Sequence, residues 1–533
     1  MFRTDHINSL IFSVDQAQMG SRETERIQRE IRLYKRYDGT YNVWTEYTKP
    51  ADIDYEPATL TIGYPRKLID TLAAWQFEKE PKVTVPPDVI DDPAAMLAPG
   101  YTVSTEQAAE NTRAKAKERL LTWVWDDNRM HEKLLAAAKD RLITESGVYA
   151  RLHYDKRRGD IRVFFHPSIE VIAIHDPWDI DRLTEVHFIA YLDEDMTQLW
   201  KLSYYLVWRG DEDTGTYDCE IEEGVYGVYE SDDKAGSYVR LDEERVARSS
   251  MGLDFIPVVH VPADGLTGQI RGYSELERMI TISDEIDRKL SDYSDALRFE
   301  MFAITLLMNV EEDPKAPLKV APSAKWNLGS AAAEEGQPDA KRMESGFKFK
   351  EAIESYLDRM YAALHEISEV PIVNTAEMKT GGVNDMAIQL LFSSIISKTQ
   401  RSWITWQSRL QTLNEYVLRY MQARAEHPRF KYDKALVAQM DGEYYSEIIF
   451  GLPLPQDQAA LISQLSEEIA MNIESIRGAI TRSGKENAEA KFLEILAERN
   501  MLRAQQDPYS GGGDVDEDEE NEEITEDDER GTE

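Results

Sequence analysis

The segment from Val383 to His427 contains no glycine and no proline, which constrains the possible folds more than any other feature of the chain. It follows directly after the glycine pair Gly381-Gly382. Its apolar residues recur three and four positions apart, a spacing that predicts a helix. They include Ile388, Leu391, Ile395, Trp403, Trp406, Leu410, Leu413, Val417 and Tyr420. At 1.5 Å per residue such a helix would be about 65 Å long. Typical helices are far shorter, so we interpret this segment as a strut.

The charge of the chain excludes a tight, general binder of nucleic acid. Its 533 residues include 61 Lys and Arg against 99 Asp and Glu, a net charge of −38. The last twenty residues, 514–533, contain thirteen acidic side chains and one arginine, so most of the excess lies in the body of the chain. Affinity for phosphate comes mainly from Lys and Arg. A protein of this charge can still handle DNA where adhesion must be avoided.

Cysteine content and hydropathy indicate a reducing compartment and no membrane segment. Cys219 is the only cysteine, so neither a disulfide framework nor a cysteine-based zinc site can form within one chain. Residues 1–16 lack the basic and apolar regions of a signal peptide. The longest strongly apolar run, Met301–Val310, is too short to span a bilayer and predicts a buried strand.

Hydrophobic spacing predicts helices on both sides of a β-rich region, which is an α+β fold. The predicted helices lie at 21–37, from Tyr64-Pro65 to Pro81, twice within 103–144 with a break at 126–128, from Ser274, from Phe347, and at 456–477 and 486–503. Alternating residues from Val148 predict a hairpin that turns at 156–159. Further strands are predicted near 169–174, 185–192, 201–208, 217–229, 237–241 and 255–261. The acidic tail from Asp507 is predicted to be disordered.

The helix that begins at Ser274 has a heptad-like apolar seam with Ser283 as its polar position. Such seams pack against other helices, and we predict that this one packs against neighbouring subunits. The seam consists of Leu276, Met279, Ile286, Leu290, Tyr293 and Leu297. The opposite face is charged, so this helix is predicted to bury one side and expose the other.

Catalytic motifs are weak throughout the chain. The nearest match to a phosphate-binding P-loop, Gly478–Glu486, has one residue too many between its glycines and a glutamate where Ser or Thr must meet magnesium. Neither an HExxH nor a GxSxG motif occurs. We therefore expect no enzyme activity, no cofactor and no bound metal.

Clusters of aspartate leave one alternative open, a metal-dependent nuclease. The clusters are Asp176/Asp179/Asp181, Asp193/Glu194/Asp195 and Asp211/Glu212/Asp213. Each lies between predicted strands beside Gly, Pro or Thr, and turns favour Asp because its side chain bonds the local backbone. Solvated turns are therefore the preferred interpretation.

The order of these parts resembles the portal proteins of tailed double-stranded DNA bacteriophages, of the long-tailed, siphovirus-like kind. The resemblance covers about residues 25–503, and the approach to the helix at Ser274 is its most specific part. It is carried by Tyr64–Asp70 with Pro81–Val83, Leu142–Ala150, Phe255–Val259, Gly272–Leu276 and Ile282–Asp295. Each motif alone is common, and their order over the whole chain makes the case.

The resemblance implies a portal fold with stem and wing helices, a β-rich wing, an α/β clip and a helical crown. The implied parts are an N-terminal helical part of the wing (1–146), a β-rich wing (147–270), a stem helix (271–300), the clip (301–346), a second stem helix (347–371), a tunnel loop (372–383), a long wing helix with a return strand (384–455), the crown (456–503) and a disordered acidic tail (504–533). The clip loop at 328–346 and the acidic tail depart from the family pattern.

The resemblance also implies a function. Portal proteins form a homo-oligomeric ring, usually of twelve subunits, at one capsid vertex, and double-stranded DNA passes through the ring during packaging and ejection. The implied partners are the terminase large subunit, the head–tail connector or adaptor, the major capsid protein and scaffold, without a membrane. The implied location is the virion, and the host cytoplasm during assembly. A virion adaptor without a DNA channel is the remaining alternative.

The tunnel loop would face DNA in such a ring. Its candidate residues are Asn374, Thr375, Lys379, Thr380, Gly381 and Gly382. From its spacing alone, Lys379 is an ordinary exposed loop lysine, and only the resemblance gives it a role in conduction.

Overall fold

The computed structural model describes residues 17–47, 56–87, 104–195, 197–211, 214–230, 237–241, 246–301, 305–308, 339–342, 350–372, 389–440, 442–454, 458–471, 473–483 and 495. The chain divides into two compact units, residues 1–453 and 454–533. The larger unit mixes long helices with antiparallel sheets, which confirms the predicted α+β class.

The N-terminal part of the larger unit is helical, as predicted. Its elements are α1 (Ala17–Asp38), α2 (Val43–Glu46), α3 (Tyr64–Phe77), the short strand β1 (Lys82–Thr84), α4 (Thr105–Asp127) and α5 (Met130–Ile143). The predicted break near 126–128 is confirmed, because Arg129 has a φ of 50° and turns the chain between α4 and α5. Helix α3 starts with a proline in its first turn, where the missing N–H has no helical partner to lose.

Two antiparallel sheets follow where one β-rich region was predicted. Their strands are β2 (Val148–Asp155), β3 (Asp160–Pro167), β4 (Val171–His175), β5 (Leu183–Tyr191), β6 (Gln198–Arg209), β7 (Thr216–Glu230), β8 (Ser237–Leu241), β9 (Val246–Ser250) and β10 (Val258–Val261). One sheet has the order β10-β2-β3, and the other has β4-β5-β6-β7-β8 with β9 on β7. The predicted hairpin is β2–β3, with Asp155 opposite Asp160. Strand β9 was not predicted.

The predicted stem follows the sheets. Its elements are α6 (Glu275–Met301), the paired strands β11 (Thr305–Met308) and β12 (Asp339–Arg342), and α7 (Lys350–Ser368). Strand β11 falls inside the apolar run that predicted a strand. The remainder of the predicted clip lies outside the described residues.

The predicted strut is present but shorter than expected. Helix α8 spans Ser393–Arg424, 32 residues, or about 48 Å. A helical stretch at 389–391 precedes it, and Phe392 interrupts the two with φ −94° and ψ 6°. The prediction of an unbroken helix to His427 was wrong at that end, since the chain turns after Arg424. Residues 383–388 lie outside the described part.

Helix α9 (Lys434–Val437) and strand β13 (Glu447–Ile449) complete the larger unit, and β13 pairs with β1. This pairing joins two segments that are distant in sequence, which alternation alone does not reveal. In the smaller unit, α10 (Gln458–Ala470) and α11 (Ile476–Arg482) replace the single predicted helix 456–477. The break occurs where the Ser475 hydroxyl accepts the N–H of Gly478 and starts a new helix.

The main hydrophobic core lies where α8 packs against α3, α4 and the β10-β2-β3 sheet. Trp406 is fully buried and meets Phe77 edge-on at 5.0 Å between ring centroids. Leu410, Leu413 and Val417 continue the buried face of α8. The apolar spacing that predicted the helix therefore also identified its core face.

Candidate functional site

The first stem helix is fixed where it begins. The Ser274 hydroxyl accepts the N–H of Glu277 at 3.2 Å and donates to the carbonyl of Ile143 at 2.6 Å. Serine followed three residues later by glutamate is a sequence signal for a helix start. Because Ile143 is the last residue of α5, the start of α6 is bonded to the end of α5.

The two stem helices pack side by side and carry an excess of acid. They run antiparallel, and the Tyr356 hydroxyl of α7 donates to Glu285 of α6 at 3.3 Å. Helix α6 contains eight acidic and four basic side chains, and α7 contains four acidic and two basic ones. The sequence-wide acidity therefore extends to the elements that the resemblance assigns to the stem.

Part of the apolar seam of α6 is buried by packing within the same chain. Leu276, Met279 and Ile286 are buried in the main core, at 0, 0 and 3 % exposure. Leu290 is half-buried against the same core, and Leu297 is 40 % exposed. Tyr293 is half-buried. Packing of this seam between subunits stays a prediction, and Leu297 is its most accessible residue.

An extended segment, residues 56–62, is held along α6 by a ladder of hydrogen bonds. Alternate backbone N–H groups donate to side chains one helical turn apart. The bonds join Ala58 to Asp295, Leu60 to Ser291 and Ile62 to Asp287, at 2.8, 2.8 and 3.1 Å. Burial raises the pKa of Asp287 to about 6. A helix stiffened in this way resists bending, because bending would break the register of all three bonds.

An ion cluster, which we call the junction, joins both stem helices to α8, with Lys398 and Glu275 buried and Arg401 exposed. Its residues are Glu275, Ser368, Glu369, Lys398 and Arg401. The Lys398 ammonium donates to Glu275 at 2.8 Å and to the carbonyl of Ser368 at 3.1 Å. Arg401 donates to both carboxylate oxygens of Glu369 at 2.8 Å. The junction therefore fixes both ends of the segment that contains the predicted tunnel loop.

Sequence reasoning missed the junction, although one signal was present. Lys398 lies on the apolar face of α8, three residues after the buried Ile395, and it is only 8 % exposed. A lysine on a buried helix face needs a carboxylate partner. The sequence does not show which carboxylate supplies it.

Helix α8 is also anchored in its middle by one amide, Gln76 of α3. The Gln76 side-chain oxygen accepts from the Ser402 hydroxyl and from the Trp406 indole, both at 3.0 Å. Its backbone carbonyl accepts from the Trp403 indole at 2.9 Å. Arg141 of α5 donates to Ser402 at 2.8 Å. These bonds fix the rotation of α8 about its own axis.

The predicted DNA-facing residues lie outside the described part of the chain. They are Asn374, Thr375, Lys379, Thr380, Gly381 and Gly382. On either side of them the described chain stops at Ile372 and resumes at Gln389, close to the junction.

In the predicted aspartate clusters, the described side chains accept hydrogen bonds within turns or form ion pairs. Asp176 pairs with Arg182, and Asp181 pairs with Arg409 at 2.6 Å. Asp193 accepts the backbone N–H of Thr197. Across the described ranges, no three His, Cys, Asp or Glu side chains come together in a way that could hold a metal ion. No specific observation therefore favours the nuclease.

Among the described residues, no helix is both long enough and apolar enough to cross a membrane.

The architecture is that of an α+β protein built around long helices, and comparison with known families identifies its class. The family model described as "Phage portal protein, SPP1 Gp6-like" matches residues 18–504. The chain therefore belongs to this family of phage portal proteins, and the family implies a place in the virion. The prediction made from the order of motifs is confirmed.

Two further comparisons do not extend the assignment beyond the family. Comparison with curated proteins gives no match. Among solved structures, a chain titled "Virion of native gene transfer agent (GTA) particle" is similar at 14% identity and a TM-score of 0.28. The similarity covers 82% of this chain and 97% of that chain. A likeness this distant supports no functional statement.

Proposed function

We propose that this protein forms a ring at one capsid vertex and conducts double-stranded DNA through the ring during packaging and ejection. The family supports a portal role. The observation that carries the conducting role is the acid excess of α6 and α7, the helices assigned to the stem.

Acidic stem helices suit a conduit because they repel phosphate. Tight DNA binding needs a series of Lys and Arg contacts that release counterions. Repeated around a ring, the acidic helices would instead produce a negative field that keeps DNA from adhering to the wall. DNA then slides through the ring while a separate motor drives it.

The partners of the ring follow from this role. The terminase large subunit supplies the ATP-driven motor and docks on the clip, which the head–tail connector occupies later. The major capsid protein and scaffold surround the ring, which we propose to contain twelve subunits. Assembly takes place in the host cytoplasm.

Electron microscopy of the purified protein tests the proposal. We expect rings with a central pore wide enough for duplex DNA. Rings without such a pore would support a virion adaptor instead. A protein that stays monomeric under all assembly conditions would overturn the proposal. Incubation with DNA and Mg²⁺ or Mn²⁺ should leave the DNA intact, and metal-dependent cleavage would support the nuclease.

The tunnel loop is tested by Lys379→Glu. We propose that a weak ring of lysines at this position contacts the moving DNA, so the substitution should leave ring assembly intact and impair packaging or DNA retention. Lys434→Glu is the matched control, because Lys434 is an exposed lysine on the short helix α9. Normal packaging by the Lys379 variant would remove this residue from the conduction mechanism.

A further inference from the structure

One end of the six-stranded sheet exposes an unusual amount of aromatic surface. Trp178, in the turn between β4 and β5, is 96 % exposed, and Ile180 beside it is 40 % exposed. Trp208, at the end of β6, is 43 % exposed and meets Tyr217 edge-on at 4.8 Å. We call these four residues the aromatic end. Tryptophan is enriched among the residues that dominate protein interfaces, so this end has the composition of a binding surface.

The turn that presents Trp178 is ordered by its own side chains. The Asp176 carboxylate accepts the N–H of Trp178 at 2.8 Å. The same carboxylate pairs with Arg182, whose guanidinium lies 5.3 Å from the Tyr217 ring centroid. Asp181 anchors the turn to Arg409 of α8. An indole held in place before binding loses little entropy when a partner covers it.

The charge beside Trp178 defines the chemistry of the partner. Asp179 is exposed, and its carboxylate accepts only the N–H of Asp181, at 3.1 Å, among the described residues. It forms no ion pair within that part of the chain. An open indole face next to an exposed carboxylate without an ion-pair partner in the described residues suits a cationic side chain, which the ring attracts through its π-system. The partner surface should therefore be basic.

The same chain carries a matching basic surface in the turn between β2 and β3. We call Lys156, Arg157 and Arg158 the basic tip. All three are exposed, and the described residues offer no carboxylate within ion-pair distance of Lys156 or Arg157. The Asp155 carboxylate accepts the N–H groups of Arg157 and Arg158 at 2.8 and 3.2 Å. These bonds order the basic tip in the same way that the bond from Trp178 to Asp176 orders the turn at the aromatic end.

The two surfaces lie at different points along α8. The aromatic end is bonded to Arg409, whereas the carbonyl of Arg157 accepts from Arg429, five residues beyond the end of α8. The part of α8 from Arg409 to Arg424 alone spans about 22 Å. The surfaces therefore cannot meet within one chain. Contact between two different patches on successive copies generates a ring when the rotation from one copy to the next closes.

We propose that the aromatic end of one subunit binds the basic tip of the next copy of this chain, with Arg157 over the Trp178 ring and Lys156 opposite Asp179. This inference rests on the proposed ring and adds the side chains that specify one of its contacts. The charges also discourage contact between two basic tips, because like charges repel each other.

Charge exchange tests the proposal. Asp179→Lys and Lys156→Glu should each raise the protein concentration needed for half-assembly about tenfold, and the double variant should restore it to within about twofold. A tenfold change in this concentration corresponds to about 1.4 kcal/mol per contact. Asp179→Lys combined with Lys434→Glu is the mismatched control and should show no rescue. Assembly is measured by native mass spectrometry, and circular dichroism verifies that each variant is folded.

Disulfide trapping provides an independent measurement. Asp179→Cys together with Lys156→Cys should produce a ladder of covalently linked subunits under mild oxidation, and neither single variant should do so. The native thiol does not interfere, because Cys219 is fully buried and burial raises its pKa to about 12.

The outcomes separate the two proposals. Wild-type rings together with rescue and a ladder support the contact. If the wild-type protein forms rings and the single charge changes do not alter assembly, the proposed contact is refuted but the ring is not. The same holds if the double variant assembles no better than the worse single variant. A wild-type protein that never self-associates overturns both.

Discussion

Replacing Lys398 by methionine tests whether the junction holds the stem helices to α8. The substitution removes the ammonium that bonds Glu275 at 2.8 Å and the carbonyl of Ser368 at 3.1 Å. Glu275 is only 5 % exposed, and its carboxylate would keep only the bond from the exposed Arg278, at 3.2 Å. Breaking a buried ion pair from one side costs about 3–5 kcal/mol. Because Arg278 would still pair with Glu275, we expect a loss of unfolding free energy near the lower end of that range.

The substitution should increase local unfolding around the junction more than it increases global unfolding. Hydrogen exchange followed by mass spectrometry should show faster exchange in peptides from the end of α7 and the beginning of α8. Peptides from the β2–β3 hairpin should keep their wild-type rates, since no hydrogen bond or ion pair joins them to the junction in the described structure. Urea unfolding of the larger unit gives the total change in free energy.

A double variant distinguishes the ion pair from simple packing. Lys398→Met together with Glu275→Leu removes both charges, and apolar replacement of a whole buried pair is often neutral. The double variant should therefore recover most of the stability that the single variant loses. A single variant that costs less than about 1 kcal/mol, or a double variant that is worse than the single one, would refute the reasoning.

Three further outcomes are expected. Trp406→Ala should cost about 3–5 kcal/mol in thermal unfolding because the side chain is fully buried, whereas Ile404→Ala, at a residue 71 % exposed, should cost almost nothing. Burial raises the pKa of Asp140 from 3.8 to about 6, so its contribution to stability is present below pH 3.8 and lost as pH rises through 6. Asp140→Asn should therefore gain stability over wild type at pH 7.5, by at most about 3 kcal/mol, and no such gain should appear at pH 4. Deleting residues 514–533 should leave the melting temperature unchanged, and a large drop would show that the tail packs.

Local patterns in the sequence predicted much of the fold. The alternation from Val148 and the turn at 156–159 defined the β2–β3 hairpin, because strand periodicity and turn residues are both local signals. The serine at position 274 marked the start of α6 for the same reason. Family membership could be predicted because the order of such local elements is itself distinctive.

Contacts between distant segments could not be predicted. The pairing of β1 with β13 and the bond between Lys398 and Glu275 join residues more than one hundred positions apart, and their formation depends on the completed core. The interruption at Phe392 was equally hidden, since no glycine or proline marks it. The ring of Phe392 stacks on Trp75 at 5.3 Å, so tertiary packing sets the position of the interruption.

The junction has a consequence for how this protein tolerates change in length. The ends of the segment between Glu369 and Lys398 belong to one ion cluster, so the distance between them is set by folding and not by the residues in between. In general, doubling the length of a flexible segment between two fixed ends costs only about 0.6 kcal/mol. Insertions or deletions between positions 373 and 388 should therefore leave the stem and α8 in place. The segment that we propose to meet DNA could then vary in length while the stem and α8 keep their positions.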